Sequence, residues 1–170
     1  MNIFFLDFDP DNAAKFHCDK HVVKMILESA QLLYSAHHMI DNTILPNDAY
    51  RKTHVNHPCS IWVRESSYNY QWLCRLGLAL CQEYTYRYGK IHKTQAHLVW
   101  LSQHVPSIPD NGMTMIRQAM PDEYKVPHPI QAYRKYYIEN KLLKRGIVKY
   151  TKRDIPPFFY ANNLHDRDRL

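Results

Sequence analysis

The sequence predicts an all-α fold, and three observations predict it. Only four glycines occur in 170 residues, too few for an open sheet with many tight turns. The apolar residues recur with helical rather than alternating spacing over long segments. From Pro58 the chain carries no proline, and no glycine except Gly77, until Gly89, which leaves a long stretch without helix breakers. Three to four main helices with long loops, followed by a basic, aromatic C-terminal segment, are expected, and a chain of this length suits a single domain over residues 1–170.

Residues 2–8 read as a short extended segment. Asp9 before Pro10 and Asp11 is a helix start, because the Asp side chain accepts orphan amide protons and proline tolerates the first helical position. That helix should reach about His37 or His38, before a loop at residues 41–48. His57, Pro58, Cys59 and Ser60 mark the next start, and one central helix should run from there to Gly89, a natural stop. Thr94 can cap a shorter helix ending near His104. Residues 105–129 hold five prolines and read as irregular surface structure. A last helix should run from Pro129 to Gly146, with an irregular tail from about residue 147.

Composition narrows the function. Lys and Arg exceed Asp and Glu by 22 to 16, giving a net charge of +6 and a pI near 9.1, which favours an anionic partner. The four cysteines, Cys18, Cys59, Cys74 and Cys81, form no CxxC pair and fit a reduced interior better than a disulfide framework. No basic run precedes the short apolar start, so neither a signal peptide nor a membrane span is expected, and the protein is expected in the cytoplasm.

The stretch HCDKHVVKMILESAQ carries the most chemistry. At 100° per residue, His17, Lys20, His21, Lys24, Glu28 and Gln31 fall within an arc of about 100°, on a helix otherwise apolar almost all round. Such a stripe is either the wet side of a core helix or the wall of a cleft. As a cleft wall, it crowds potentially cationic groups beside one carboxylate. Lys20 or Lys24 could then serve as an amine nucleophile, with Glu28 moving protons and His17 and His21 beside them. The histidines also have the i, i+4 spacing of a metal pair, but a lysine flanks each and the sequence shows no HExxH glutamate, so no metal or other cofactor is expected.

Elsewhere, Cys59 lies at a helix start beside His54 and His57, where a dipole could favour a thiolate, although a buried structural cysteine is the commoner outcome. Arg64 and Tyr68 lie on a polar, aromatic row of the central helix. At its end Arg87, Lys90, His92 and Lys93 alternate with Tyr84, Tyr86 and Tyr88. Residues 125–153 add a basic series that includes Arg134, Lys135, Lys141, Lys144, Arg145, Lys149, Lys152 and Arg153, with tyrosines between them. Basic groups contact phosphates and aromatic rings stack on unpaired bases, so these rows suit a nucleic acid, and a solvated basic surface would look the same.

Together, DKHVVKMILESAQLL, HPCSIWVRESSYNYQWLCRLGLALCQEYTYRYGK and QAMPDEYK resemble the pyrimidine-dimer DNA glycosylases, including the bacteriophage endonuclease V type, over about residues 9–145. The resemblance implies a compact helical phage or prokaryotic protein of DNA repair, with glycosylase and abasic-lyase chemistry through an amine and an imine. In such members the amine is the α-amine exposed when the initiator Met leaves a small residue, whereas here Met1 precedes Asn2. They also carry a glutamate flanked by basic residues on the first helix. Lys20, His21 and Lys24 occupy that region here, with His21 at the acid's place and Glu28 two turns on. Two alternatives share the scaffold: a non-catalytic nucleic-acid-binding or phage counter-defence protein, and an enzyme acting on a free modified nucleotide.

Overall fold

The computed structural model describes residues 2–40 and 44–163. Met1, the first three residues of the loop expected at 41–48, and the tail from residue 164 lie outside the described residues. Within them every regular element is helical. In chain order these are α1 (Pro10–Lys15), α2 (Asp19–Ile40), α3 (Pro58–Glu65), α4 (Ser67–Tyr88), α5 (Gln95–Gln103), α6 (Pro129–Tyr136) and α7 (Pro157–Asn163). A 3-10 turn at Asp122–Tyr124 interrupts the proline-rich stretch, and a π-helix at Tyr137–Leu143 continues α6. The all-α expectation holds, with more and shorter helices than the breaker pattern implied.

Helices α2 and α4 pack along their lengths, with α1 against α4 and α5 wedged against both. The extended segment ahead of α1 threads through the centre: Ile3, Phe4, Phe5 and Leu6 are all buried. The Phe5 ring lies 4.4 Å from Trp72 and 6.2 Å from Trp62, so this segment is core rather than a loose leader. Gly77 lets α4 and α5 approach closely, because a Cβ there would sit 2.7 Å from Leu98 Cδ2.

Two expected single helices are each divided. The first breaks at residues 16–18, and the amides that open α2 find partners from far along the chain. The Tyr137 hydroxyl accepts from the Cys18 N–H at 2.9 Å, and the Lys149 carbonyl accepts from the Asp19 N–H at 2.9 Å. The central helix breaks at Ser66, whose backbone is extended and whose hydroxyl accepts from the Tyr68 N–H to cap α4. Capping satisfies amides that a continuous helix would have bonded internally. The tail expected to be irregular contains α7.

Candidate active site

A cleft of about 300 Å³ opens between α2 and the π-helical continuation of α6. His21, Lys24, Met25 and Glu28 of α2 form one wall, Tyr136, Lys141 and Arg145 the other, and Asn2, Phe4, His57 and Ala119 close the rest. The volume lies at the lower end of the range for small-molecule pockets, about 300 to 1,000 Å³.

Glu28 supplies the carboxylate in the lining of this cleft. Its residue is 8% exposed, yet its carboxylate reaches two nitrogens. Oε2 accepts from the Asn2 N–H at 3.0 Å, and Oε1 lies 3.1 Å from Lys24 Nζ, whose side chain is largely exposed. Asn2 is itself pinned. Its Oδ1 accepts from the Ile3 N–H at 2.8 Å and from the Cys59 thiol at 3.2 Å, while its Nδ2 donates to the Ala119 carbonyl at 2.9 Å. The head of the extended segment is therefore held against the one carboxylate of the helix stripe.

The stripe divides under this geometry. Lys24, His21 and Glu28 line the cleft, Lys20 is exposed beyond it, and His17 is wholly buried with its Nδ1 donating to the Ala13 carbonyl at 2.7 Å. The expected crowd of cations is also reduced. Burial pushes His17 down to about 4, and burial followed by the neighbouring His17, Lys141, Lys24 and Lys20 pushes His21 down to about 3. His21 is thus neutral. Its Nδ1 lies 2.8 Å from the Tyr137 hydroxyl and 3.4 Å from the Cys18 thiol, while that hydroxyl also accepts from the Cys18 N–H. His21 therefore meets the cleft as a neutral ring anchored through Nδ1. Nδ1 of each histidine is occupied by a protein partner, which separates the pair that their spacing suggested.

Cys59 is no nucleophile here. Burial pushes its thiol up to about 11, outweighing any help from the helix start, and His57 spends its Nδ1 accepting from the Cys59 N–H. Burial likewise lowers His57 below its ordinary range, so it meets the cleft as a neutral ring.

The residues expected to hold nucleic acid fall into two groups. Arg87 is 2% exposed and bridges the break between α1 and α2, donating to the Lys15 and His17 carbonyls and pairing with Asp19 at 3.1 Å and Glu83 at 3.0 Å. Arg153 joins from the other side of Glu83. Burial opposes ionisation of Asp19, but Thr151 and Arg87 outweigh it and hold the carboxyl below its ordinary range. Arg134 donates to the Leu6 carbonyl and to Asp7. Arg64 donates to Ser60 and to the Val55 carbonyl. Lys135 and Lys152 donate to the carbonyls of Glu123 and Tyr86. His92 is half-buried against Tyr84. Tyr68, Lys90, Lys93, Lys144, Arg145 and Lys149 remain exposed, and of these only Arg145 lines the cleft.

Sequence reasoning passed over Asn2, Tyr136 and Lys141 as site residues. Asn2 lies 26 positions from Glu28, and no local signal joins them. Lys141 appears only as one of a basic series, because its direction depends on a π turn that helical periodicity does not show.

Residues 1–104 match a family model described as pyrimidine dimer DNA glycosylase. Neither the curated proteins nor the solved structures contain a match to this chain. No helix among the described residues is long and apolar enough to cross a membrane.

Proposed function

The chain belongs to the pyrimidine dimer DNA glycosylase family, and from that premise we propose that it excises a damaged or modified pyrimidine at the Glu28 cleft and then cleaves the abasic strand. Membership makes DNA the substrate and base excision the class of reaction. The observation that carries the finer reading is a buried carboxylate, Glu28, within 3.0 Å of the Asn2 nitrogen and 3.1 Å of Lys24 Nζ on the wall of an open cleft.

An unprotonated amine attacks C1′, the C1′–N bond breaks, and its electron pair leaves with the base, which takes up a proton. The amine then gives up its protons as the sugar ring opens onto a protonated O4′, leaving an imine. Loss of a C2′ proton next expels the 3′ phosphate, and water hydrolyses the imine to free the amine. Glu28 is placed to receive the amine protons and return them. A reacting base must also leave its stack, at a cost of a few kcal/mol, which stacking and phosphate contacts offset.

Two nitrogens suit the attack by position. One is Lys24 Nζ, whose ion pair with Glu28 draws on the ammonium form. The other is the α-amine of a mature chain that starts at Asn2, which Asn2 would present to Glu28 already pinned. An α-amine near pKa 8 supplies the free base far more readily than an ordinary lysine, which favours the second. Borohydride added to the protein with abasic or dimer-containing duplex should trap a covalent adduct. Peptide mapping then identifies the amine, and intact mass identifies the first residue. Absence of any adduct, alongside salt-dependent DNA binding, would make the protein a binder without catalysis.

A further inference from the structure

We propose that Lys141 and Arg145 form a phosphate seat, swung into the cleft by the π turn, that holds the phosphodiester flanking the target sugar. The proposal rests on the reading of the cleft as a DNA site and deepens it.

The backbone supplies the first observation. In a regular α-helix residues five apart point about 140° away from each other. Across Tyr137–Leu143 the helix is π-wound, and the Lys144 N–H bonds back to the Glu139 carbonyl, five residues earlier, at 3.1 Å. That wider turn brings Lys141 onto the face of Tyr136, with its Nζ 4.7 Å from the ring centroid. Tyr136, Lys141 and Arg145 then line the same cleft. A π turn is a rare local irregularity that frequently marks a functional site.

Charge supplies the second. Among the described residues no carboxylate pairs with Lys141 or Arg145, although five of the eight arginines there, Arg64, Arg87, Arg117, Arg134 and Arg153, are bonded within the fold. The cleft's one carboxylate, Glu28, is already paired with Lys24 on the opposite wall. An empty cleft therefore carries uncompensated positive charge, which a bound anion neutralises. His21, kept neutral, lines the same space without adding charge of its own. A guanidinium and an ammonium four residues apart suit the oxygens of one phosphate. Glu28 across the cleft is left to face the sugar.

A duplex with a tetrahydrofuran abasic analogue lacks both the base and the aldehyde, so it reports binding without imine chemistry. Each of the two phosphates flanking the analogue would be replaced in turn by a neutral methylphosphonate. Neutralising one of them should weaken wild-type binding roughly tenfold, as loss of one charge-assisted contact implies. The same replacement should change the folded Lys141→Gln/Arg145→Gln variant by less than about twofold, since that variant has already lost the contact. Equal weakening in variant and wild type overturns the seat, as does a wild type indifferent to both linkages. Competition by thymidine monophosphate as strong as that by the duplex would overturn the DNA assignment. Failure of borohydride trapping with this cycle intact removes the catalytic reading and leaves the seat. Trapping with a flat cycle does the reverse.

Discussion

Lowering the pH from 7 to 5 should cost the fold about 4 kcal/mol through His17 and His21 alone. Burial, ahead of every other cause, holds His17 at about 4 and His21 at about 3. Both rings are therefore still neutral in the native protein at pH 5. In the unfolded chain an ordinary histidine titrates near pH 6.5 and is almost wholly protonated at that pH. The unfolded state thus binds more protons, and stability falls as pH falls. The loss begins near 6.5 and continues until the folded values of about 4 and about 3 are passed. At pH 5 each ring lies about 1.5 pH units below the unfolded midpoint, so about 1.36 kcal/mol per unit gives about 2 kcal/mol per ring. Asp19 and Glu83 are held below the ordinary carboxylate range, so they stay ionised through this window. His57 and His92, both lowered by burial, add to the loss with the same sign. Urea titrations of the wild type and of His17→Gln/His21→Gln at the two pH values would measure it. The drop between pH 7 and pH 5 should be several kcal/mol smaller in the variant than in the wild type. A wild type that loses less than about 1 kcal/mol would refute the neutral, buried state of both rings.

Replacing Glu28 with Gln should lower base release and borohydride trapping by roughly 100-fold or more, the usual worth of a general acid or base, with DNA affinity retained in a filter-binding assay. Arg87→Met should destabilise by about 3 kcal/mol, because it strands buried Asp19 and Glu83. It should leave the salt slope of DNA binding unchanged, whereas an arginine bound to phosphate would lower that slope by about 1. Gly77→Ala should lower the melting temperature by a few degrees, since crowding Leu98 outweighs the gain of about 1 kcal/mol in helix propensity. All four thiols should resist a disulfide reagent in the native state at pH 8 and react together on unfolding, because each cysteine is buried and burial holds Cys59 up at about 11 and Cys81 at about 12.

What was legible in the sequence is what local chemistry decides. Asp9 accepts from the Asp11 and Asn12 amides, His57 precedes Pro58 at the start of α3, and Gly89 ends α4 with a positive φ of 65°. Each of these roles depends on neighbours within a few residues. The break at residues 16–18 was not legible, because Tyr137 and Lys149, over a hundred residues away, satisfy the freed amides. The stripe on α2 was legible as a stripe, with Lys24 and Glu28 paired at i, i+4. Its division into cleft wall, solvent and core was not. His17 joins the stripe by arithmetic, but it lies ahead of α2, turned into the protein under Phe4 and Tyr137.

Net positive charge proves a poor map of where DNA would lie. An arginine whose guanidinium caps carbonyls or closes an ion pair contributes to the sum of charges while some or all of its five donors are spent inside the fold. Arg87 spends its donors at the α1–α2 break, while Arg134 and Arg153 commit theirs in part, to the extended segment and to Glu83 of α4. Their bonds tie the start of α2 to α1 and α4, the extended segment to α6, and residue 153 to α4. The exposed cations near the cleft but outside its lining include the lysines Lys20, Lys144 and Lys149. Electrostatic attraction from such flexible groups is long-ranged and weakly directional, which suits approach to any stretch of duplex. On the proposed reading, selection of one nucleotide falls to the groups that line the cleft: Glu28, Asn2, His21, and the Lys141–Arg145 seat beside Tyr136.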